Sequence, residues 1–352
     1  MMTDELYMQR CLELAETGIA SVSPNPMVGC VIVKDHKIIG EGYHAKFGEA
    51  HAEVNAVQAV FNRYGEQAIA LLKEATVYVS LEPCAHYGKT PPCADLLIRH
   101  RVKKVVIGNR DPFPDVDGKG ITKLRNAGIE VHYGILENEC RELNRRFFTR
   151  IEKQRPYIIL KWAQTANGFF SPLTPSKQWI STELAKKMVH KWRTEEDAIL
   201  VGKQTVIADD PLLTARDWEG KNPIRLVIDK HLDIPAEKHI YDNAARTIIF
   251  NELKTEVQEN IHYIQMEDMK YYLPQKIAYQ LYLMDIQSVI IEGGANILNQ
   301  FIASRLWDEA RVFSSAKNWE TGVHAPQING LITSILPINL DKLIIYKNWE
   351  TQ

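Results

Sequence analysis

One histidine, two cysteines and one glutamate are spaced in this chain like the side chains of a catalytic zinc site. His51 and Glu53 lie two residues apart, and eight residues separate Cys84 from Cys93. One imidazole and two thiolates leave the fourth position of a tetrahedral zinc site open for water. Zinc lowers the pKa of such a water toward about 7. The four residues therefore predict hydrolytic chemistry in which Glu53 carries protons and does not bind the metal.

The order of these residues narrows the class of site. An H-x-E motif followed by P-C and a second cysteine is typical of zinc deaminases, although the gap between the cysteines is longer here than in C-x-x-C. The alternative is a structural zinc site in which His86 or His44 supplies a fourth protein ligand. We favour catalysis because Glu53 would have no purpose in a structural site.

Apolar periodicity predicts the elements that hold these residues. Residues 50–61 are predicted to form a helix with His51 and Glu53 in its first turn. The alternating segment Thr76–Leu81 predicts a strand that ends just before Pro83 and Cys84, and a second helix is predicted to begin near Cys93. A thiol at a helix N-terminus has a lowered pKa, which favours metal binding.

Composition excludes several other classes of protein. A net charge of -2 indicates no general affinity for nucleic acid, and no apolar run is long enough to cross a membrane. The acidic start of the chain does not resemble a signal peptide, so we expect a cytoplasmic protein. Five cysteines are an odd number, which argues against a disulfide framework. Cys11, Cys30 and Cys140 are expected to be buried as small hydrophobic residues.

The chain is long enough for two α/β domains, predicted at 1–148 and 155–352, with a charged stretch ending in Pro156 between them. In the first domain we expect a helix at Asp4–Thr17 capped by Asp4, a hairpin around residues 34–36 and a charged helix at Glu137–Phe148. In the second, strands separated by helices indicate a mostly parallel sheet. Those strands are predicted at Tyr157–Trp162, Ala198–Gly202, Ile224–Asp229, Thr247–Asn251 and Ser288–Glu292.

The second domain also has features that suit an anionic ligand. A strand runs through Gly293 and Gly294 into a helix, and such a turn exposes backbone N–H groups that can bind phosphate. Arg193 and Arg216 lie on either side of a second strand-to-loop junction, and arginine can bind phosphate with two hydrogen bonds. Ordinary turn chemistry and solvated surface arginines are the alternative interpretation.

Motifs across most of the chain resemble the bifunctional deaminase/reductase family of riboflavin biosynthesis. The residues that carry the resemblance are Pro24-Asn25-Pro26-Met27-Val28-Gly29, Gly42-Tyr43-His44, His51-Ala52-Glu53, residues 82–93, Leu160-Lys161-Trp162-Ala163, residues 209–216 and Glu292-Gly293-Gly294. The resemblance implies an N-terminal cytidine-deaminase-like αβα domain and a C-terminal α/β domain that is similar to dihydrofolate reductase. It also implies zinc in the first domain, NADPH in the second and a homo-oligomer.

The family acts on 2,5-diamino-6-ribosylamino-4(3H)-pyrimidinone 5′-phosphate, first exchanging an amino group for oxo and then reducing the ribosyl group. The resemblance places Asn25, His44 and His86 in the deaminase substrate site. It assigns reductase substrate contacts to Lys161, Lys177, Arg193, Leu213, Arg216 and Glu292. It assigns cofactor contacts to Ala163, Trp179, Thr205, Asp209, Gly294, Ala295, Asn296, Ile297, Leu298, Asn299 and Gln300.

Three positions depart from the family pattern. Asn167 stands where an acid is usual, Lys177 where a serine often contacts substrate, and Lys230 where a serine often faces the cofactor. Three alternatives therefore stay open: an active deaminase with an impaired or altered reductase half, a nucleoside or nucleic-acid deaminase with an unrelated partner domain, and a zinc-stabilised binding module.

Overall fold

The computed structural model of the protein describes residues 3–87, 91–173, 180 and 182–349. The chain divides into two compact units, Met1–Gln154 and Arg155–Gln352. Within the described ranges, no helix combines the length and apolar character needed to cross a membrane.

The first unit alternates helices with strands. Its described helices and strands are α1 (Asp4–Glu16), β1 (Gly29–Lys34), β2 (Lys37–Tyr43), α2 (Ala52–Tyr64), α3 (Ala68–Lys73), β3 (Thr76–Leu81), α4 (Cys93–His100), β4 (Lys104–Asn109), α5 (Lys119–Asn126), β5 (Glu130–Tyr133), α6 (Glu137–Leu143) and α7 (Arg145–Lys153).

These elements form three layers around a sheet of order β2-β1-β3-β4-β5. The β1 strand pairs antiparallel with β2 and β3, whereas β3, β4 and β5 are parallel. Alternate side chains of β3 point to opposite faces: Val77 and Val79 pack with α2, α4 and α5, and Tyr78 packs with α1 and α6. The αβα architecture predicted for this half is confirmed.

Three local predictions in this unit were wrong in detail. His51, predicted in the first turn of its helix, lies just before that helix, which begins at Ala52. Helix α1 begins after Thr3, so Asp4 is its first residue and not its cap. The helix predicted at Glu137–Phe148 is broken at Asn144. The amide of that residue accepts a hydrogen bond from the Met27 N–H and donates one to the Met27 carbonyl, both at 2.8 Å. The Asn144 side chain thereby ties the junction of α6 and α7 to a distant loop.

The second unit is built on a larger sheet. Its described helices and strands are β6 (Tyr157–Gln164), β7 (Phe169–Ser171), α8 (Glu183–Glu195), β8 (Ala198–Gly202), α9 (Lys203–Asp209), β9 (Ile224–Ile228), β10 (Thr247–Asn251), β11 (Glu256–Gln258), β12 (Ile261–Gln265), α10 (Leu273–Leu283), β13 (Ser288–Ile291), α11 (Ala295–Ala303), β14 (Glu309–Ser314), β15 (Val323–His324), β16 (Leu331–Ile338) and β17 (Asp341–Lys347).

The main sheet has the order β11-β12-β10-β9-β8-β13-β6-β14-β17-β16, and its central strands from β12 to β14 are parallel. Helices α10 and α11 pack on one face, and α8 and α9 pack on the other. The carboxyl ends of β6, β8 and β13 therefore lie at one edge of the sheet, where ligands bind in sheets of this type. The mostly parallel α/β sheet predicted for this half is confirmed.

Candidate active sites

The predicted zinc ligands come together in the first unit. The Nδ1 of His51 lies 3.7 Å from the Sγ of Cys84 and 3.4 Å from the Sγ of Cys93. All three potential ligand atoms lie within 4.8 Å of one another, and this cluster of the described residues consists of these three side chains. A nitrogen and two sulfurs at such distances fit a zinc ion with one position left for a non-protein ligand.

Helix α2, which carries Glu53 and begins directly after His51, lies unusually close to the sheet. A Cβ on Gly42 of β2 would meet the Ala56 nitrogen at 2.4 Å and the Ala52 oxygen at 2.6 Å, so only glycine permits this packing. His51 is the residue before the first turn of α2 and has extended backbone, while Glu53 lies within that turn. The imidazole and the carboxyl group therefore leave the backbone in different directions, beside the two cysteines.

Glu53 has the environment of a proton carrier. Its residue is 3% exposed. Burial raises the pKa of Glu53 to about 7, and the negative charge of Cys84 acts in the same direction. A carboxyl group with a pKa near neutrality can both accept and release a proton under physiological conditions.

Cys84 is positioned by Glu82, a role that the sequence did not predict. The carboxyl group of Glu82 accepts backbone hydrogen bonds from Ile121 at 3.1 Å, Gly118 at 3.0 Å and Asp111 at 3.4 Å. These bonds join the segment before Cys84 to the start of α5. The N–H of Cys93 donates to the Cys84 sulfur at 3.3 Å. Hydrogen bonding from the Cys93 side chain and from His51 lowers the pKa of Cys84, although burial opposes the shift.

Two of the predicted substrate residues lie beside the zinc ligands. The His44 ring makes an edge contact with the His51 ring at 5.4 Å between centroids, and its Nε2 lies 3.2 Å from the Asn25 amide nitrogen. The Nδ1 of His44 lies 3.1 Å from the Ala50 carbonyl oxygen. Burial lowers the pKa of His44. His86 is exposed and its ring lies 6.2 Å from that of Phe113.

In the second unit, three of the predicted substrate residues form a charged cluster. The Oε2 of Glu292 accepts a hydrogen bond from Arg193 at 3.0 Å and lies 3.7 Å from the Lys161 nitrogen. Burial alone would raise the pKa of Glu292, but the charges of Arg193 and Lys161 lower it overall. Burial lowers the pKa of Lys161.

This cluster has unused capacity for hydrogen bonding. Among the described residues, the Oε1 of Glu292 and the Nε of Arg193 are buried without a partner. A buried polar group without a partner is costly, so these atoms favour a polar ligand that would satisfy them. Leu213 and Arg216 lie on the segment that Arg193 touches, because Arg193 also donates to the Thr214 carbonyl at 3.1 Å.

The predicted cofactor residues lie at the edge where β8 and β13 end. Gly294 precedes the first turn of α11 without a side-chain cap, and Thr205 of α9 is adjacent: its Oγ1 would lie 3.8 Å from a Cβ on Gly294. Uncapped backbone N–H groups beside a hydroxyl fit the phosphates of a dinucleotide. Asn296 and Asn299 are exposed, and Ala295, Ile297 and Gln300 are half-buried.

The other predicted site residues of the second unit are spread over several elements. Asp209 and Arg216 are exposed, and Ala163 is half-buried at the end of β6. Leu298 is fully buried in the core, so only its backbone can reach a ligand. Lys177 and Trp179 lie outside the described residues.

The departures at Asn167 and Lys230 have local partners. The Asn167 amide donates to the Trp319 carbonyl at 2.6 Å and accepts from the Trp319 N–H at 3.2 Å, a pairing that an acid could only half reproduce. The Lys230 nitrogen lies 3.1 Å from the Glu252 carboxyl group. Asn167 therefore joins the turn after β6 to the loop after β14.

Two family models match this chain, one in each of the two units. A family model described as the cytidine and deoxycytidylate deaminase zinc-binding region matches residues 1–109. A model described as the RibD C-terminal domain matches residues 156–317.

Two curated proteins called riboflavin biosynthesis protein RibD are similar over most of their length. The protein of Aquifex aeolicus is 43% identical over 318 residues, covering 89% of this chain and 87% of its own. The Escherichia coli K12 protein is 37% identical over 333 residues, covering 90% and 88%.

Solved structures agree in fold. A deaminase/reductase from Thermotoga maritima, described as acting on diaminohydroxyphosphoribosylaminopyrimidine and 5-amino-6-(5-phosphoribosylamino)uracil, has a TM-score of 0.88 at 35% identity and covers 98% of each chain. A RibD structure from Acinetobacter baumannii has a TM-score of 0.87 at 33% identity, with the same coverage.

Proposed function

The chain belongs to the RibD family of riboflavin biosynthesis proteins, and we propose that its first unit carries the deaminase site and its second unit the reductase site. The protein is a zinc-dependent deaminase and an NADPH-dependent reductase. The observation that carries our assignment of sites is the His51, Cys84 and Cys93 cluster beside a buried Glu53. The comparisons favour both activities, and none of them supports an impaired reductase half.

The proposed substrate is 2,5-diamino-6-ribosylamino-4(3H)-pyrimidinone 5′-phosphate. In the first reaction the amino group on ring carbon 2 is replaced by oxo and leaves as ammonia. In the second, the ribosyl group is reduced to ribityl, giving 5-amino-6-ribitylamino-uracil 5′-phosphate. The site residues below are assigned to these two reactions.

In the first unit, His51, Cys84 and Cys93 would hold zinc, which when bound supplies Lewis-acid activation of water. Glu53 carries one proton from the attacking water to a ring nitrogen and a second proton from the added hydroxyl group to the departing amine, for which a pKa of about 7 is suited. Asn25 and His44 orient the pyrimidine beside these groups, because their polar atoms lie next to the His51 ring. His86 would contact the same ring from the loop after Cys84.

In the second unit, bound NADPH would supply the hydride, and the protein positions the reacting groups. Lys161 and Glu292 would bind the sugar, since both carry hydrogen-bonding atoms within the buried cluster. Arg193 and Arg216 would bind the phosphate, with Leu213 between them in sequence. Thr205 and the backbone N–H groups after Gly294 would bind the cofactor phosphates.

The roles of Ala163, Asp209, Lys177 and Trp179 remain predictions from the resemblance, as do homo-oligomer formation and a cytoplasmic location. Light scattering of the purified protein would test homo-oligomer formation. A mass of one chain would contradict it.

Two variants separate the proposed sites. We expect Glu53→Gln to leave the starting substrate unchanged but still to reduce the deaminated intermediate made by the wild-type enzyme without NADPH. We expect Lys161→Met to accumulate that intermediate even with NADPH. Mixing the two variants should restore the final product. Loss of both reactions in either variant, with the fold retained by circular dichroism, would contradict the division of labour.

A further inference from the structure

Helix α8 presents a basic stripe to the segment that carries Arg216. Lys186, His190 and Arg193 are spaced at i, i+4 and i+7 and therefore lie on one face of the helix. Arg193 donates to the Thr214 carbonyl at 3.1 Å, which ties the helix to the segment just before Arg216.

The residue after Arg216 completes the contact. The Oδ2 of Asp217 lies 3.3 Å from the Lys186 nitrogen and 3.2 Å from the Nε2 of His190. His190 is 2% exposed, so its ring is fixed by packing, whereas Lys186 and Asp217 are partly exposed. Asp217 thus joins the segment to Lys186 and His190 of α8. Arg193, nearer the C-terminus of the helix, joins it at Thr214.

Electrostatic coupling agrees with this arrangement. Burial lowers the pKa of His190 to about 4, and the charges of Arg193 and Arg216 act in the same direction. His190 is therefore neutral near pH 7. Burial would raise the pKa of Asp217, but the hydrogen bond from Lys186 and the positive charges around it lower it overall. Arg216 lies between Thr214 and Asp217 in the chain, so the contacts of these two residues with α8 fix the backbone that carries it.

We infer that Lys186, His190 and Asp217 are positioning residues for reduction, and that they hold Arg216 beside Arg193 so that both guanidinium groups can engage the phosphate of the substrate. The inference rests on the proposed function, in which Arg193 and Arg216 bind that phosphate. Asp217 acts through Arg216 and need not touch the substrate. Without this anchor, Arg216 would belong to an exposed segment and would lose rotational and backbone freedom only on binding, which weakens affinity.

The test is a set of reductase measurements at saturating NADPH. The substrates are the deaminated ribosyl phosphate and the same compound after phosphatase treatment. We expect Asp217→Asn and Lys186→Gln to raise KM for the phosphorylated substrate roughly 2- to 5-fold with little change in kcat, as for a partly exposed ion pair. Both variants should match the wild type on the dephosphorylated substrate. Glu219→Gln is the matched control, because Glu219 is exposed on the same segment and the described residues offer it no ion pair.

A double-variant comparison keeps the inference separate from the proposed function. Arg216→Ala should raise KM for the phosphorylated substrate roughly 10-fold or more, and Asp217→Asn should add nothing in that background. A normal KM in Arg216→Ala overturns the phosphate assignment and, with it, this inference. A raised KM there beside a normal KM in Asp217→Asn and Lys186→Gln overturns the inference alone. Equal increases on both substrates would assign Asp217 a merely structural role and would also overturn it.

Discussion

Replacing Glu82 by glutamine should loosen the support of the zinc cluster without touching a zinc ligand. The Oε1 of Glu82 accepts from Ile121, and its Oε2 accepts from Gly118 and Asp111. A glutamine has only one oxygen, so its NH₂ group must face at least one of these buried N–H donors. One lost hydrogen bond with an unsatisfied buried donor costs about 2 kcal/mol. The free energy required to open the start of α5 should therefore fall by about 2 kcal/mol.

Hydrogen-exchange mass spectrometry measures this opening within the first unit. A loss of about 2 kcal/mol corresponds to roughly 30-fold faster exchange in peptides that span α5. Because a Cβ on Gly120 would lie 2.1 Å from the Pro83 oxygen, α5 packs directly against the residue before Cys84. We therefore also expect a chelator to remove zinc faster from Glu82→Gln. Glu66→Gln, at an exposed site, is the control; equal exchange and equal zinc loss in both variants would contradict the supporting role of Glu82.

Three further predictions follow from the site residues. Glu53→Gln should slow deamination roughly 100- to 10,000-fold while zinc content stays that of the wild type; turnover at the wild-type rate would remove Glu53 from the mechanism. A lysine where the family has a cofactor-facing serine would favour the extra phosphate of NADPH, so Lys230→Glu should reduce the preference for NADPH over NADH roughly 10-fold. An unchanged ratio of the two kcat/KM values would exclude that role of Lys230. Because burial and then the charge of Arg193 lower the pKa of His190 from 6.5 to about 4, the unfolded chain binds a proton below about pH 6.5 that the folded chain does not, and stability should fall as the pH drops through that window. His190→Gln should lose about 2 kcal/mol less between pH 6.5 and pH 4 in urea unfolding, whereas an identical loss would contradict the shift.

Local patterns were sufficient to predict most elements, because the periodicity of a strand or helix reflects its own burial. The strand Thr76–Leu81 has the bounds that its alternation predicts, and α4 begins at the predicted Cys93. Local patterns do not predict contacts with residues that are distant in the sequence. At the junction of α6 and α7 the Asn144 amide pairs with the backbone of Met27, and nothing in the local sequence indicates Met27 as its partner.

The same contrast between local patterns and distant contacts applies to the candidate sites. The spacing of His51, Cys84 and Cys93 predicted the cluster because the chemistry of zinc restricts ligand types so strongly. The positioning role of Glu82 was missed because its partners are backbone N–H groups at Asp111, at Gly118 and in the helix that begins at Lys119, and backbone donors leave no sequence signal. Asp217 was missed because a single acid after Arg216 looks like an ordinary surface charge until α8 is placed beside it.

The most direct test of the account is mass spectrometry of the products formed by the purified wild-type protein from the diaminopyrimidinone ribosyl phosphate. Without NADPH, we predict that an amino group is exchanged for oxygen and that the reaction stops there. With NADPH, we predict the further gain of two hydrogens. An unchanged substrate under both conditions, with zinc confirmed to be bound, would contradict the substrate assignment. Deamination without any reduction would contradict the function proposed for the second unit.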